Sequence, residues 1–160
     1  IGQWAHQILA DRYPPEWLTC GASGVVGWGI PGAMAARLAF PERPAILLSG
    51  DGALHFALSD LESATRQGLP FVVVVADDSA WGIVVTEQRN AYGQNSTIAS
   101  SIGPVRYDLI AEGFGGYGVR AETPRALRIE MEKALNADGP YLIQAPIAIA
   151  GPHEDANAPA

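Results

Sequence analysis

The stretch FVVVVADDSAWG, residues 71–82, decides the fold. Its first six residues, Phe71 to Ala76, are apolar without interruption, and four of them are valines. A run with no polar face and many β-branched residues is typical of a strand that is buried on both sides in a parallel sheet. Two acids, Asp77 and Asp78, follow at once. The stretch therefore predicts a central strand whose carboxyl end carries charged groups.

A second strand of the same kind precedes it in LLSGDGALHF, residues 47–56. The short apolar run over residues 45–49 predicts a buried strand, and it ends in Gly50-Asp51-Gly52. Beyond that turn, apolar residues at helical spacing from Leu54 to Thr65 predict a helix, which Gly68 and Pro70 would stop. The two predicted strands are thus joined by one helix, an arrangement that makes them neighbours in a parallel sheet.

The remaining elements continue the alternation of strand and helix. Further helices are predicted over residues 1–11, 31–40, 83–92, 104–112 and 124–137, and further strands over 117–121 and 141–145. This alternation predicts an α/β fold with a doubly wound, mainly parallel sheet and helices on both faces. The small, polar residues 93–103 predict a mobile loop. We assign residues 1–150 to one domain and 151–160 to a flexible tail.

Composition excludes several classes of protein. A chain of 160 residues is long enough for one domain with a real core. Its net charge of −7 argues against a nucleic-acid partner. The longest apolar run is too short to cross a bilayer, so no membrane partner is expected. A single cysteine, Cys20, excludes an internal disulfide framework and predicts a reducing, cytoplasmic location.

The two acidic strand ends suggest a metal and phosphate site. Ligands of parallel sheets bind at the carboxyl ends of the strands, where Asp51 and Asp78 would lie close together. Two neighbouring carboxylates repel unless a cation lies between them, and Mg²⁺ prefers a few protein oxygens plus phosphate oxygens. The glycines beside Asp51 would let backbone N–H groups approach an anion. A surface turn at Gly-Asp-Gly with a helix cap at Asp77-Asp78 remains an equally good interpretation at this point.

Several motifs in order resemble one enzyme family. The glycine-rich GASGVVGWGIPG, residues 21–32, leads to Gly50-Asp51-Gly52, and Asp77-Asp78 follows after a helix and a strand. GPYLIQAPI, residues 139–147, completes the match. This order resembles the C-terminal, diphosphate-binding domain of thiamine diphosphate-dependent enzymes, in particular those similar to acetolactate synthase and benzoylformate decarboxylase. In that family the second motif is usually Asn-Asn, so an acid at position 78 is a departure.

The resemblance implies roles for individual residues. Asp51, Asp78 and the backbone carbonyl of Ala80 would hold Mg²⁺. The cofactor itself would be held along the glycine-rich segment, the Gly-Asp-Gly turn and the residues after the second strand, by Gly24, Val26, Gly50, Asp51, Gly52, Ala53, Asp78 and Ile83. In this set the N–H groups of Gly52 and Ala53 would bind the diphosphate. The Gly24 carbonyl would accept from the aminopyrimidine, and Val26 would be the apolar wedge beneath the bent cofactor.

Other polar and aromatic residues near these motifs have simpler explanations. For His55 a position on a helix surface is the default, and for Trp81 packing is as good an explanation as a role in the pocket. Gln88 is expected to be a solvated helix residue. Val84 stands where pyruvate decarboxylases place a catalytic glutamate, which argues against a simple acetaldehyde-forming enzyme.

The resemblance implies an acetolactate synthase-like carboligase, a transferase, or a 2-keto acid decarboxylase, a carboxy-lyase. Either would act through a C2 ylid of the cofactor on a 2-keto acid. No catalytic residue is expected in this chain, because the family's activating glutamate lies on a pyrimidine-binding domain or subunit, usually within a homo-oligomer (a dimer or a tetramer). The chain would then be a fragment of a longer enzyme or need a separate subunit. The alternative is a non-catalytic cofactor-binding module.

Overall fold

The computed structural model describes residues 1–10 and 16–149. The predicted flexible tail, residues 151–160, lies outside these ranges, and the division into domain and tail stays a prediction. The helices, in chain order, are α1 (Gly2–Ala5), α2 (Gly29–Ala39), α3 (Asp51–Leu54), α4 (Asp60–Arg66), α5 (Gly82–Tyr92), α6 (Tyr107–Gly113) and α7 (Pro124–Ala134). A π-helical turn, His6–Ala10, follows α1, and a 3₁₀ turn, Gly21–Ser23, precedes α2.

All four predicted strands are present, and they form one parallel sheet. They are β1 (Ile46–Gly50), β2 (Val72–Asp77), β3 (Tyr117–Arg120) and β4 (Tyr141–Pro146), in the order β1-β2-β4-β3. The valine-rich β2 is buried along its whole length and pairs with β1 on one side and β4 on the other. The prediction of a central, doubly covered strand is therefore confirmed.

Helices cover both faces of the sheet. On one face Val73, Val75 and Leu142 pack against α2, α4 and α6, and on the other Val72, Val74 and Ile143 pack against α7. The first face contributes the larger core, which includes Ile30, Ala33, Leu61, Ala64, Tyr107 and Ala111. The second includes Ala121 and Ala134, with Leu127 and Met131 packed against it. Successive residues of a strand point to opposite faces, so an uninterrupted apolar strand serves both cores. The predicted doubly wound α/β class is confirmed.

The single helix predicted from Leu54 to Thr65 is divided in the structure. Between α3 and α4 the chain continues in tighter turns, in which Ala57 N–H bonds to Leu54 O at 3.1 Å and Asp60 N–H to Ala57 O at 3.0 Å. These i→i+3 bonds keep the apolar residues on the core face, so the helical spacing was visible although the helix is not continuous.

Two other helix starts differ from the prediction. The helix predicted from Pro104 begins only at Tyr107, because Arg106 has a non-helical ψ of 79° and the Val105 carbonyl accepts from a side chain of β4. The helix predicted over residues 1–11 is a single α-turn followed by a π-turn over its described part. At α7 the predicted cap is confirmed, since Thr123 Oγ1 accepts from Ala126 N–H at 3.1 Å.

Candidate metal and cofactor site

The carboxyl ends of β1 and β2 lie side by side. Gly50, the last residue of β1, is paired with Ala76 in β2. Asp51 is the first residue of α3, directly after β1, and Asp78 directly follows β2. The parallel register therefore brings the two acidic motifs to one edge of the sheet, where ligands of such folds bind.

Asp51 is the most unusual side chain of this edge. It is only 2% exposed, and its Oδ1 accepts from Gly52 N–H at 2.9 Å. Its Oδ2 is buried and has no hydrogen-bond partner. Burial, together with the nearby Asp78 and Asp77 carboxyl groups, raises the pKa of Asp51 to about 6, although the bond from Gly52 opposes the shift. A buried carboxylate oxygen without a donor is the position that a bound cation would satisfy.

Asp77, the neighbouring acid, is used for structure. Its Oδ1 accepts from the N–H of Ser79 at 3.0 Å and from the Ser79 hydroxyl at 3.2 Å. Its Oδ2 accepts from Gln144 Nε2 at 2.6 Å. The same Gln144 nitrogen also donates to Val105 O at 2.8 Å. The carboxylate of Asp77 thus points into the domain, and it ties the end of β2 to β4 and to the approach to α6.

Asp78, in contrast to Asp77, is partly exposed. Its Oδ1 accepts from Ala80 N–H at 3.1 Å, which folds the segment into a tight turn. Its Oδ2 lies against the first residue of α5, where a Cβ on Gly82 would overlap it. Burial raises the pKa of Asp78 above its ordinary value. The glycine at position 82 therefore leaves room for this carboxylate at the start of α5.

The turn after Asp78 is held by a returning loop. Ala80 pairs with Ser101 in an isolated antiparallel bridge. Around it, Trp81 N–H bonds to Ser100 O at 2.8 Å, and Ile102 N–H bonds to Ser79 O at 2.9 Å. The loop over residues 93–103 is thus anchored at its end, and its predicted mobility stays a prediction.

The two glycines of the Gly-Asp-Gly turn differ in their surroundings. A Cβ on Gly52 would lie 2.9 Å from Cε3 of Trp81, so this glycine is required by the indole packed on it. A Cβ on Gly50 would meet nothing within 4 Å, which leaves open space beside the strand end. Trp81 in turn stands edge-on to Phe56, with 5.9 Å between the ring centroids.

The structure places most of the predicted site residues at the ends of β1 and β2, and two of them in the segment before α2. Seven of the predicted residues lie where β1 and β2 end and the next helices begin: Gly50, Asp51, Gly52, Ala53, Asp78, Ala80 and Ile83. The Gly52 N–H, a predicted diphosphate donor, is taken by Asp51 Oδ1. Gly24, at φ +58°, and Val26, 42% exposed, belong to the glycine-rich segment before α2. This segment approaches the site through Gly27, where a Cβ would lie 2.6 Å from the Cβ of Phe56.

Three polar residues of this region were missed or misread from the sequence. Gln144 could have been noticed in the sequence, because it is a polar residue within an otherwise apolar strand. Its bond to Asp77 could not have been predicted, because that bond depends on the strand order. His55 is exposed as expected, yet its Nε2 lies 2.8 Å from the hydroxyl of the buried Tyr107. Gln88, predicted to be solvated, bonds to the loop that holds the site.

The donor set suits a hard cation. In the described ranges, 1–10 and 16–149, no three or more His, Cys, Asp or Glu side chains form a ready metal cluster. A metal at this edge would therefore need the two carboxylates of Asp51 and Asp78 together with backbone and ligand oxygens, which is the ligand pattern that Mg²⁺ favours. None of the helices within those ranges is long and apolar enough to cross a membrane.

The chain is similar to one family along most of its length. The family described as "Thiamine pyrophosphate enzyme, C-terminal TPP binding domain" matches residues 1–145. The "Acetolactate synthase" of Bacillus subtilis is 32% identical over 148 residues, which are 89% of this chain and 26% of that protein. The "Acetolactate synthase isozyme 1 large subunit" of Escherichia coli is 30% identical over 146 residues, again 89% of this chain and 26% of the relative.

Two solved structures share the fold. A thiamine diphosphate-dependent 4-hydroxybenzoylformate decarboxylase from Rhodococcus jostii superposes with a TM-score of 0.74 at 29% identity, over 79% of this chain and 24% of that one. A benzoylformate decarboxylase from Polynucleobacter necessarius superposes with a TM-score of 0.71 at 21% identity, over 81% of this chain and 25% of that one. The chain thus spans about a quarter of the length of the relatives that it matches.

Proposed function

Because the chain belongs to the thiamine pyrophosphate enzymes, as their C-terminal cofactor-binding domain, we propose that it binds thiamine diphosphate (TPP) through Mg²⁺. The observation that carries this proposal is the Oδ2 atom of Asp51, which is buried without a partner at the end of β1. A carboxylate in that position costs free energy in the metal-free chain, and a cation bound there would offset the cost.

The metal would be held by chain oxygens from both strand ends. Asp51 would supply Oδ2, Asp78 would supply its carboxylate, and Ala80 would supply its carbonyl. The diphosphate oxygens would complete the coordination of the metal. The Ala53 N–H in the first turn of α3 would donate a hydrogen bond to the diphosphate. The open space beside Gly50 allows an anion to approach the backbone closely.

The rest of the cofactor would lie along the glycine-rich segment. The Gly24 carbonyl would accept from the aminopyrimidine, Val26 would support the bend of the cofactor, and Ile83 would pack beside it. When bound, the cofactor supplies a nucleophilic C2 carbon, the ylid, and an electron sink for the reaction of a 2-keto acid. The task of this chain is to fix that group in place through the metal and these contacts.

We propose that the whole protein is an acetolactate synthase-like carboligase or a 2-keto acid decarboxylase. The names of the relatives support this activity, and a pyrimidine-binding domain or subunit with an activating glutamate would complete the site. A homo-oligomer and a cytoplasmic location are part of the proposal, the latter supported by the unpaired Cys20. The second candidate is a non-catalytic cofactor-binding module, because the family that the chain matches is described as a binding domain.

Calorimetry and proton exchange test both candidates. Thiamine diphosphate is titrated into the chain with and without Mg²⁺, and the same titration is made with Asp51→Asn and with Asp60→Asn as the control. We expect Mg²⁺-dependent binding that Asp51→Asn abolishes and Asp60→Asn preserves. Exchange of the C2 proton, followed by NMR after a pyrimidine-binding domain or subunit is added, then supports the enzyme, whereas binding without exchange in that mixture supports the module. A folded chain with no Mg²⁺-dependent binding contradicts both.

A further inference from the structure

We propose that Gln88 is a positioning residue for the metal-binding turn, residues 78–80. The inference rests on the proposed function, because it concerns the same metal, but it assigns a role to a residue outside the motif. Gln88 lies in the middle of α5, ten residues after Asp78. Its side-chain amide reaches the loop that returns from α5 to the site.

The amide of Gln88 makes three hydrogen bonds to one short segment of that loop. Its Nε2 donates to Ile98 O at 3.1 Å, and its Oε1 accepts from Ile98 N–H at 3.1 Å. The same Oε1 accepts from the hydroxyl of Ser100, a residue only 3% exposed, at 3.2 Å. A primary amide can bind both polar groups of one backbone residue in this way, so it fixes the loop as a partner strand would.

These bonds enclose a strained residue. Ala99, between Ile98 and Ser100, has a φ of +55°, which is rare for a residue with a Cβ. A second such residue, Ser79 at φ +55°, lies in the metal-binding turn. Conformations of this kind persist only where surrounding contacts impose them. Gln88 supplies contacts on both sides of Ala99, and the loop in turn supplies them for Ser79.

A continuous path of bonds leads from the loop to the metal-binding turn. Ser100, held by Gln88, accepts from Trp81 N–H at 2.8 Å, and the next residue, Ser101, forms the bridge to Ala80. Beyond the bridge, Ile102 N–H bonds to Ser79 O at 2.9 Å. The backbone on both sides of the Ala80 carbonyl is therefore set by the loop that Gln88 holds.

Loss of the Gln88 amide should release this loop without unfolding the sheet. Ala80 and Asp78 would then present their oxygens to the metal with more freedom. Removal of a residue that orients metal ligands typically costs about 10- to 100-fold in metal affinity. We expect a loss of that size in the affinity for the metal at saturating cofactor.

The test uses Gln88→Met, which keeps the length of the side chain and removes the amide. Gln94→Met, an exposed glutamine of the same loop, is the matched control. The first measurement is amide hydrogen exchange of the chain without metal or cofactor. In Gln88→Met we expect faster exchange at Trp81 and Ile102 as well as at Ile98, with the amides of β2 unchanged. The second is Mn²⁺ binding in place of Mg²⁺, followed by electron paramagnetic resonance at saturating thiamine diphosphate.

Each outcome is informative. Faster exchange along the whole path, with weaker Mn²⁺ binding in Gln88→Met alone, supports the positioning role. Faster exchange at Ile98 only, or unchanged Mn²⁺ affinity, overturns it. If the wild-type chain shows no metal-dependent cofactor binding, the proposed function fails, and the exchange pattern still decides whether Gln88 orders the turn. Should Gln88→Met not fold, Ser100→Ala removes one of the three bonds, and an unchanged exchange rate at Trp81 in that variant also overturns the proposal.

Discussion

Replacement of Asp51 by asparagine should make the metal-free chain more stable. The side chain is buried, and one carboxylate oxygen has no donor while other carboxyl groups lie nearby. An asparagine at this position would keep the acceptor for Gly52 N–H and place a neutral donor where Oδ2 now lies, facing those acids. The substitution that abolishes metal binding would then remove the free-energy cost of burying the Asp51 carboxylate in the metal-free chain.

The magnitude follows from the pKa of Asp51. A rise from 3.8 to about 6 corresponds to roughly 3 kcal/mol in favour of the protonated form, at about 1.4 kcal/mol for each pH unit. Since the pKa is raised on folding, this stability is complete below pH 3.8 and is lost as the pH rises through about 6. The asparagine side chain does not titrate, so we expect the variant to be more stable by about 2 kcal/mol at pH 7.5.

Urea unfolding in EDTA, at intervals from pH 4 to pH 7.5, measures the difference. The gap between Asp51→Asn and the wild type should grow up to about pH 6.5 and then stay constant, whereas Glu42→Gln on the exposed turn before β1 should show no gap. With Mg²⁺ and thiamine diphosphate at about 100 times Kd, the wild type alone should gain about 2.7 kcal/mol. A variant less stable than the wild type at pH 7.5, or a gap independent of pH, would refute the reasoning.

Further substitutions test other parts of the site. Gly52→Ala should destabilise the chain by about 1–3 kcal/mol in urea unfolding, because its Cβ meets the neighbouring indole, whereas Gly50→Ala should leave stability unchanged and weaken cofactor binding in calorimetry. Gln144→Leu should cost about 3 kcal/mol in the same unfolding assay, since it leaves the Asp77 carboxylate buried without its donor; a neutral effect would contradict the role given to that bond. Arg106 donates to both carboxylate oxygens of Asp108, at 2.8 and 2.6 Å, and these bonds lower the pKa of Asp108. The stabilisation from this pair is therefore lost as the pH falls through the lowered pKa, and Asp108→Asn should flatten the acid side of the profile of unfolding free energy against pH.

The strands could be predicted because their signals are local. Phe71 to Ala76 has no polar residue, and such a run has few alternatives to a strand buried on both sides. The class of fold followed from the alternation of elements. Helix starts were less certain, as at Tyr107, because the preceding carbonyl is held by Gln144 of a distant strand. No local pattern near residue 105 contains that information.

The candidate site was predictable in its acids and not in its supports. Asp51 and Asp78 could be placed together from strand order alone. The different roles of Asp77 and Asp78 could not be predicted, because both are aspartates and only the structure shows which one accepts from Gln144. The role of Gln88 depends on its bonds to Ile98, which lies ten positions later in a loop that folds back onto α5. Such contacts arise from tertiary structure, which overrides the default of a solvated helix position.

The place of β4 in the sheet has a consequence for the order of folding. It is the last of the four described strands along the chain, yet it lies between β2 and β3. While a nascent chain lacks residues 141–146, β3 has no partner strand and one edge of β2 remains open to incorrect pairing. Gln144 also arrives with β4, so Asp77 receives its buried donor only then. The edge that carries the acids is therefore completed only after β4 has been synthesised, although both acidic motifs emerge from the ribosome much earlier.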